Sequence, residues 1–93
     1  MNIYRKENIL TITGLICSYQ ISKKLFSVFC QEIDTGVTHL DLKGVEQADS
    51  ACISLLLCAL RRNPDIVFQN IPHSVYLLLN LYELDNEVKI LQD

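Results

Sequence analysis

The residues able to do chemistry are few and scattered. His39 and His73 lie far apart in the chain. Asp41 sits two residues after His39, so on one strand their side chains would share a face and could form a hydrogen-bonded pair. No nucleophile stands near enough in sequence to complete an acid, base and nucleophile set. The phosphate-binding, dinucleotide-binding and zinc-protease patterns GxxxxGK[ST], GxGxxG and HExxH are missing. Ser50 lies in Ala48-Asp49-Ser50-Ala51-Cys52, which is not the GxSxG elbow of a serine hydrolase. The four cysteines, Cys17, Cys30, Cys52 and Cys58, are separated by 13, 22 and 6 residues and form no CxxC motif. On one helix, Cys52 and Cys58 would be about 240° apart and unable to meet. All four read as small buried or half-buried hydrophobes. The expectation is a non-enzyme with no catalytic residue, no cofactor and no metal.

Composition points the same way. The chain has 93 residues, enough for a single domain over 1–93 with one modest core. Its 49% hydrophobic content and net charge of only −3 exclude disorder. A pI near 5.2 argues against nucleic acid as a partner. The opening MNIYRKENILTITG carries charges at Arg5, Lys6 and Glu7, unlike a secretory signal. The longest apolar run, 51–60, contains Ser54 and is too short to span a bilayer. A cytoplasmic protein with no direct membrane insertion is expected.

Three glycines and two prolines leave room for long elements and short loops. Two strands, 3–5 and 9–13, flank a turn at Lys6-Glu7-Asn8, and Gly14 ends the second. Residues 17–33 read as an amphipathic helix, with Gly36 able to take positive φ after it. A strand over 37–42 points Leu40 and Leu42 one way, His39 and Asp41 the other. A loop over 43–49 then leads to a helix capped by Asp49 or Ser50, running to Arg62 and stopped by Asn63-Pro64. A short strand over 66–69, a helix over 73–82 behind Pro72, and an edge strand over 88–91 complete the chain. Alternating strands and helices predict an α/β fold with a largely parallel sheet and an antiparallel hairpin at its start.

The helix faces carry the functional signal. On the wheel for 50–62, Ile53, Leu56 and Leu60 turn inward with Cys52 beside them. Ser50, Ala51, Ser54, Cys58 and Arg61 turn outward, flanked by Leu55 and Leu57. The helix over 73–82 is apolar on nearly all sides, Tyr76 included. So small a domain cannot bury both helices fully. Unless loops cover it, the surplus is an interaction surface for another protein or for a second copy, as a homodimer of the isolated chain.

The stretch 40–62, LDLKGVEQADSACISLLLCALRR, resembles the signature region of STAS domains, the family of anti-sigma factor antagonists and sulfate-transporter tails. Within it DLKGVEQADSACISLLL, and later VFQNIPHSVYLLLNLYEL over 67–84, are most similar to the small cytosolic STAS subunit of Mla-type phospholipid-transport ABC systems. The resemblance implies a STAS-like mixed, largely parallel sheet of four to five strands with three helices. It implies a non-enzymatic subunit, peripheral to the inner membrane, that binds the ATPase and supports phospholipid transport and outer-membrane lipid asymmetry. Asp49, Ser50, Ala51, Ser54, Leu55, Leu57, Cys58, Arg61 and Tyr76 are then the expected partner-binding residues. Ser50 matches the hydroxyl that is phosphorylated in anti-sigma factor antagonists and that lies at the ATPase contact in Mla-type subunits. Asp49 matches the acidic residue before it. The alternative implied role is an anti-sigma factor antagonist switched by phosphorylation at Ser50. This chain departs from the family by placing Ala51 and Cys52 where glycine is usual, which puts close backbone approach by a partner in doubt.

Overall fold

The sheet is built around one long strand. The structure is a computed structural model and describes residues 1–84 and 86–91. Strand β1 (Asn2–Lys6) turns at Glu7-Asn8 into β2 (Ile9–Ile16), with Lys6 opposite Ile9 and Asn2 opposite Thr13. Glu7 takes φ 56°, which lets so short a turn close the antiparallel pair. On its other edge β2 is paired twice, both times in parallel. Its first half meets β3 (His39–Asp41) and its second half meets β4 (Val45–Ala48). Strand β5 (Val67–Gln69) continues the parallel sheet from β3, and β6 (Lys89–Leu91) continues it from β5. The sheet thus has six strands, in the order β1-β2-β3-β5-β6 with β4 on β2.

Six strands exceed the four to five expected, and the reason is local. The stretch 43–49 was expected to be a loop, yet four of its residues return to β2. Gly14 holds φ 89° and the register shifts between Gly14 and Leu15, so β2 bends at that point and goes on to Ile16. Gly44 accepts the Gly14 amide through its carbonyl at 2.9 Å. A Cβ at Gly44 would stand 2.5 Å from Thr13 Cγ2, so a side chain there is incompatible with the approach of the two strands.

Alternation along the strands decides where the core lies. Leu10, Leu40, Phe68 and Ile90 are in register across β2, β3, β5 and β6. The first three are fully buried. Their neighbours Ile9, Thr11, His39, Asp41, Val67 and Gln69 point to the opposite face and are only half-buried. The helices therefore cover one face. They are α1 (Lys23–Ile33), α2 (Ser50–Arg62) and α3 (His73–Leu81). Phe29 and Ile33 of α1, Ile53 and Leu56 of α2, and Val75 and Leu79 of α3 join the same core as Leu10, Ile12 and Leu42. Each such side chain contributes about 1.5–3 kcal/mol. Because α2 packs against both α1 and α3, it is the middle helix of the layer.

The helix expected over 17–33 is shorter. Ser22 accepts the Leu25 amide through its hydroxyl at 3.1 Å, and this cap starts α1 at Lys23. Residues 18–20 form a separate 3-10 turn. At the far end of α1, Arg5 of the hairpin donates to Glu32 Oε2 at 3.0 Å and Thr35 Oγ1 at 2.7 Å, tying β1 to the helix exit. Gly36 follows with φ 95°, as expected.

Candidate interaction surface

The start of α2 is fixed by one carboxylate. Asp49 Oδ1 accepts the Ala51 amide at 2.8 Å, and Oδ2 accepts the Ser18 amide at 3.2 Å. Asp49 also donates its own amide to Ile16 O at 3.2 Å. The cap is therefore Asp49, and Ser50 is the first residue inside the helix. The carboxylate complements the positive end of the helix and pins the turn that follows β2. Replacing Asp49 with alanine leaves the Ala51 and Ser18 amides without this partner. A loss of about 1–2 kcal/mol in urea-melt stability is the expected outcome, with Asp49→Asn losing less.

Relieved of capping, Ser50 is exposed. One turn on, Ser54 is also exposed, and its hydroxyl donates to Ser50 O at 3.4 Å. Arg61 continues the same outward stripe, while Ala51, Leu57 and Cys58 are half-buried at its margins. Leu55, expected beside them, is fully buried and cannot meet a partner. It lies three residues before Cys58 and seven before Arg62, the side of the helix on which α1 packs. Cys30 touches Cys58 there, and Asp34 holds Arg62 in an ion pair. A wheel drawn for α2 alone cannot show that α1 covers this side.

On α3, Tyr76 is exposed, as are Leu77 at 53% and Leu81 at 73%, followed by Tyr82 at 47%. Leu77, Leu81 and Tyr82 extend the apolar surface expected around Tyr76. The apolar character of this helix on nearly all sides already carried that signal, and in the structure only Val75 and Leu79 of α3 are fully buried.

Between α1 and α2 lies a groove of about 480 Å³, formed by Phe26 and Cys30 on one side and Ser54, Leu57, Cys58 and Arg61 on the other. At its floor Cys30 Sγ and Cys58 Sγ are 2.7 Å apart. Burial, and then the hydrogen bond to Cys58, push the Cys30 thiol up to about 11. Cys52 lies deeper and is raised to about 12, first by burial and then by the Asp49 carboxylate. The meeting of Cys30 with Cys58 had no signal in sequence. The two stand on different helices, and only the packing of α1 on α2 brings them together.

His39 and Asp41 share the open face of the sheet, but each has its own partners. His39 Nδ1 is 2.8 Å from Thr38 Oγ1. Asp41 accepts from the Lys43 amide at 2.9 Å and from Gln69 Nε2 and Asn70 Nδ2, both at 3.3 Å. The bonds of Asp41 tie the ends of β3 and β5 together. No family model matches the chain, and no curated protein matches it. Among the described residues, no helix is long and apolar enough to cross a membrane.

Proposed function

We propose that the chain is a non-enzymatic STAS-type subunit that docks on the ATPase of an Mla-type phospholipid-transport ABC system. In this reading it sits on the cytosolic side of the inner membrane, held there by its partner. It supports the assembly and activity of the ATPase, while other subunits handle ATP and lipid. The observation that carries the reading is the outer surface of the helical layer. The middle helix presents small groups, Ser50 and Ser54, and one cation, Arg61, on a stripe that no other element of the described chain covers. Beside it α3 leaves Tyr76, Leu77 and Leu81 in solvent. The large apolar side chains supply the area that drives association. The resemblance of 40–62 and 67–84 to STAS subunits supports an ATPase as the partner.

Co-expression with the cognate ATPase tests this. Ser54→Arg places a bulky cation in the middle of the stripe without touching the core. A buried charge left unpaired costs about 2–5 kcal/mol, so the association constant should fall roughly 30-fold or more, and recovery of the complex should drop with it. The melting temperature of the isolated variant should stay within about 2 °C of the parent, as for an ordinary surface change. Full recovery of the complex with Ser54→Arg and with Ser50→Arg would sink the docking surface.

A second reading, an anti-sigma factor antagonist switched at Ser50, draws on the exposure of Ser50 at the start of α2. Against it stands Asp49. Its carboxylate already takes the amides at this helix end and would oppose a neighbouring phosphate by like-charge repulsion. Intact mass after incubation with a candidate serine kinase separates the two readings, since only this second one expects a phosphate on Ser50.

A further inference from the structure

We infer that Cys30 and Cys58 form a redox-modifiable pair, which a small-molecule disulfide of the glutathione class converts into a disulfide joining α1 to α2. The inference goes beyond the docking role and does not depend on it. It rests on three observations. The sulfurs are already 2.7 Å apart, so bond formation asks for less than an ångström of further approach. They sit on two helices packed against each other, with 28 residues of separation, so the bond would close a long loop rather than a local turn. And the pair faces a groove of about 480 Å³ that a small reagent can enter.

The two thiols are not equivalent. Cys58 is half-buried on the wall of the groove, whereas Cys30 is only 6% exposed. Burial keeps Cys30 protonated at neutral pH, since its thiol is raised to about 11. Access therefore makes Cys58 the entry point. In the first step Cys58 gives its proton to solvent, and its sulfur attacks the small disulfide. The S–S bond of the reagent breaks, one thiolate leaves, and Cys58 carries the mixed disulfide. In the second step the Cys30 sulfur attacks the Cys58 sulfur, and the mixed bond breaks. The second small thiol leaves with the proton of Cys30. Two protein thiols are oxidised, and one small disulfide is reduced to two thiols.

The other two cysteines supply the contrast. Neither Cys17 nor Cys52 lines the groove, and Cys52 has no exposed surface. They should remain thiols when Cys30 and Cys58 react. The bond would fix the middle helix of the layer to α1 directly beneath the stripe of Ser54 and Arg61.

The test uses the full chain, purified reduced and incubated with oxidised glutathione. Intact mass should fall by two hydrogen atoms, two of the four thiols should resist alkylation after unfolding, and peptide mapping should place the link between Cys30 and Cys58. The melting temperature should rise by on the order of 10 °C and return on treatment with dithiothreitol. In Cys30→Ser the second step is lost, and the glutathione adduct should persist on Cys58. In Cys58→Ser the shielded Cys30 should stay unmodified. An unchanged mass, a lasting adduct on the parent chain, a link to Cys17 or Cys52, or a disulfide between two chains would each overturn the inference.

Discussion

Changing Phe68 to alanine should cost the domain about 3–5 kcal/mol, the usual range for deleting a fully buried aromatic side chain. Phe68 has no exposed surface and sits at the centre of β5, in register with Leu40 on β3 and Ile90 on β6. All three point toward the helices. A chain of this size has a total stability of about 5–14 kcal/mol, so the loss is roughly a fifth of it or more. In urea the midpoint should drop by roughly 2 M with little change in slope. Val67 makes the comparison sharp. It is the preceding residue on the same strand, but it faces the side of the sheet that no helix among the described residues covers and is only half-buried. Val67→Ala should cost about 1 kcal/mol or less. Equal losses at the two positions would mean that both faces of the sheet are packed, and the one-sided architecture would be wrong.

That architecture was partly legible in the sequence, and the legible parts are those set by local rules. Helix α2 was readable from 50 to 62. Asp49-Ser50 opens it, apolar residues follow at helical spacing, and Asn63-Pro64 forbids its continuation. The alternation of His39, Leu40 and Asp41 gave the faces of β3 in the same way. Strand β4 was not readable, because Val45-Glu46-Gln47-Ala48 has little strand propensity and one large apolar residue. It is a strand because β2, bent at Gly14, offers it an edge, and because Gly44 has no Cβ to strike Thr13. The start of α1 was missed for a smaller reason. The apolar pattern runs on through Ile21, but the Ser22 hydroxyl captures the Leu25 amide and sets the boundary.

The surface divides along the same line. Ser50, Ser54 and Arg61 lie outward as their spacing on one helix requires, and so does Tyr76 on α3. Leu55 fails because its exposure depends on what α1 does. The Cys30–Cys58 contact was out of reach for the same reason, since no pattern within either helix refers to the other. A helix wheel tells which residues can share a side. It does not tell which side a neighbour will take.

Cys52 leads to the other large effect, a loss of stability in alkali. Its thiol is raised from 9.0 to about 12, first by burial on the inner side of α2 and then by the Asp49 carboxylate and Cys17. The native state thus holds this proton more tightly than the unfolded chain does. The stability this contributes is complete below about pH 9 and is lost as the pH rises through 12. A difference of three units corresponds to about 4 kcal/mol in all, or about 1.4 kcal/mol for each unit climbed. Cys30, raised to about 11, works in the same direction. Melting temperatures followed from pH 8 upward should therefore fall steeply above about pH 9. Cys52→Ala separates this cause from every other group that titrates there, because all of those are shared by both proteins. The variant loses about 1–2 kcal/mol at neutral pH for the missing sulfur. It should then lose stability more slowly than the parent, so that the two curves converge or cross in alkali. Curves that stay parallel would show that the Cys52 proton has no part in holding the fold, and that the alkaline limb belongs to groups elsewhere in the chain.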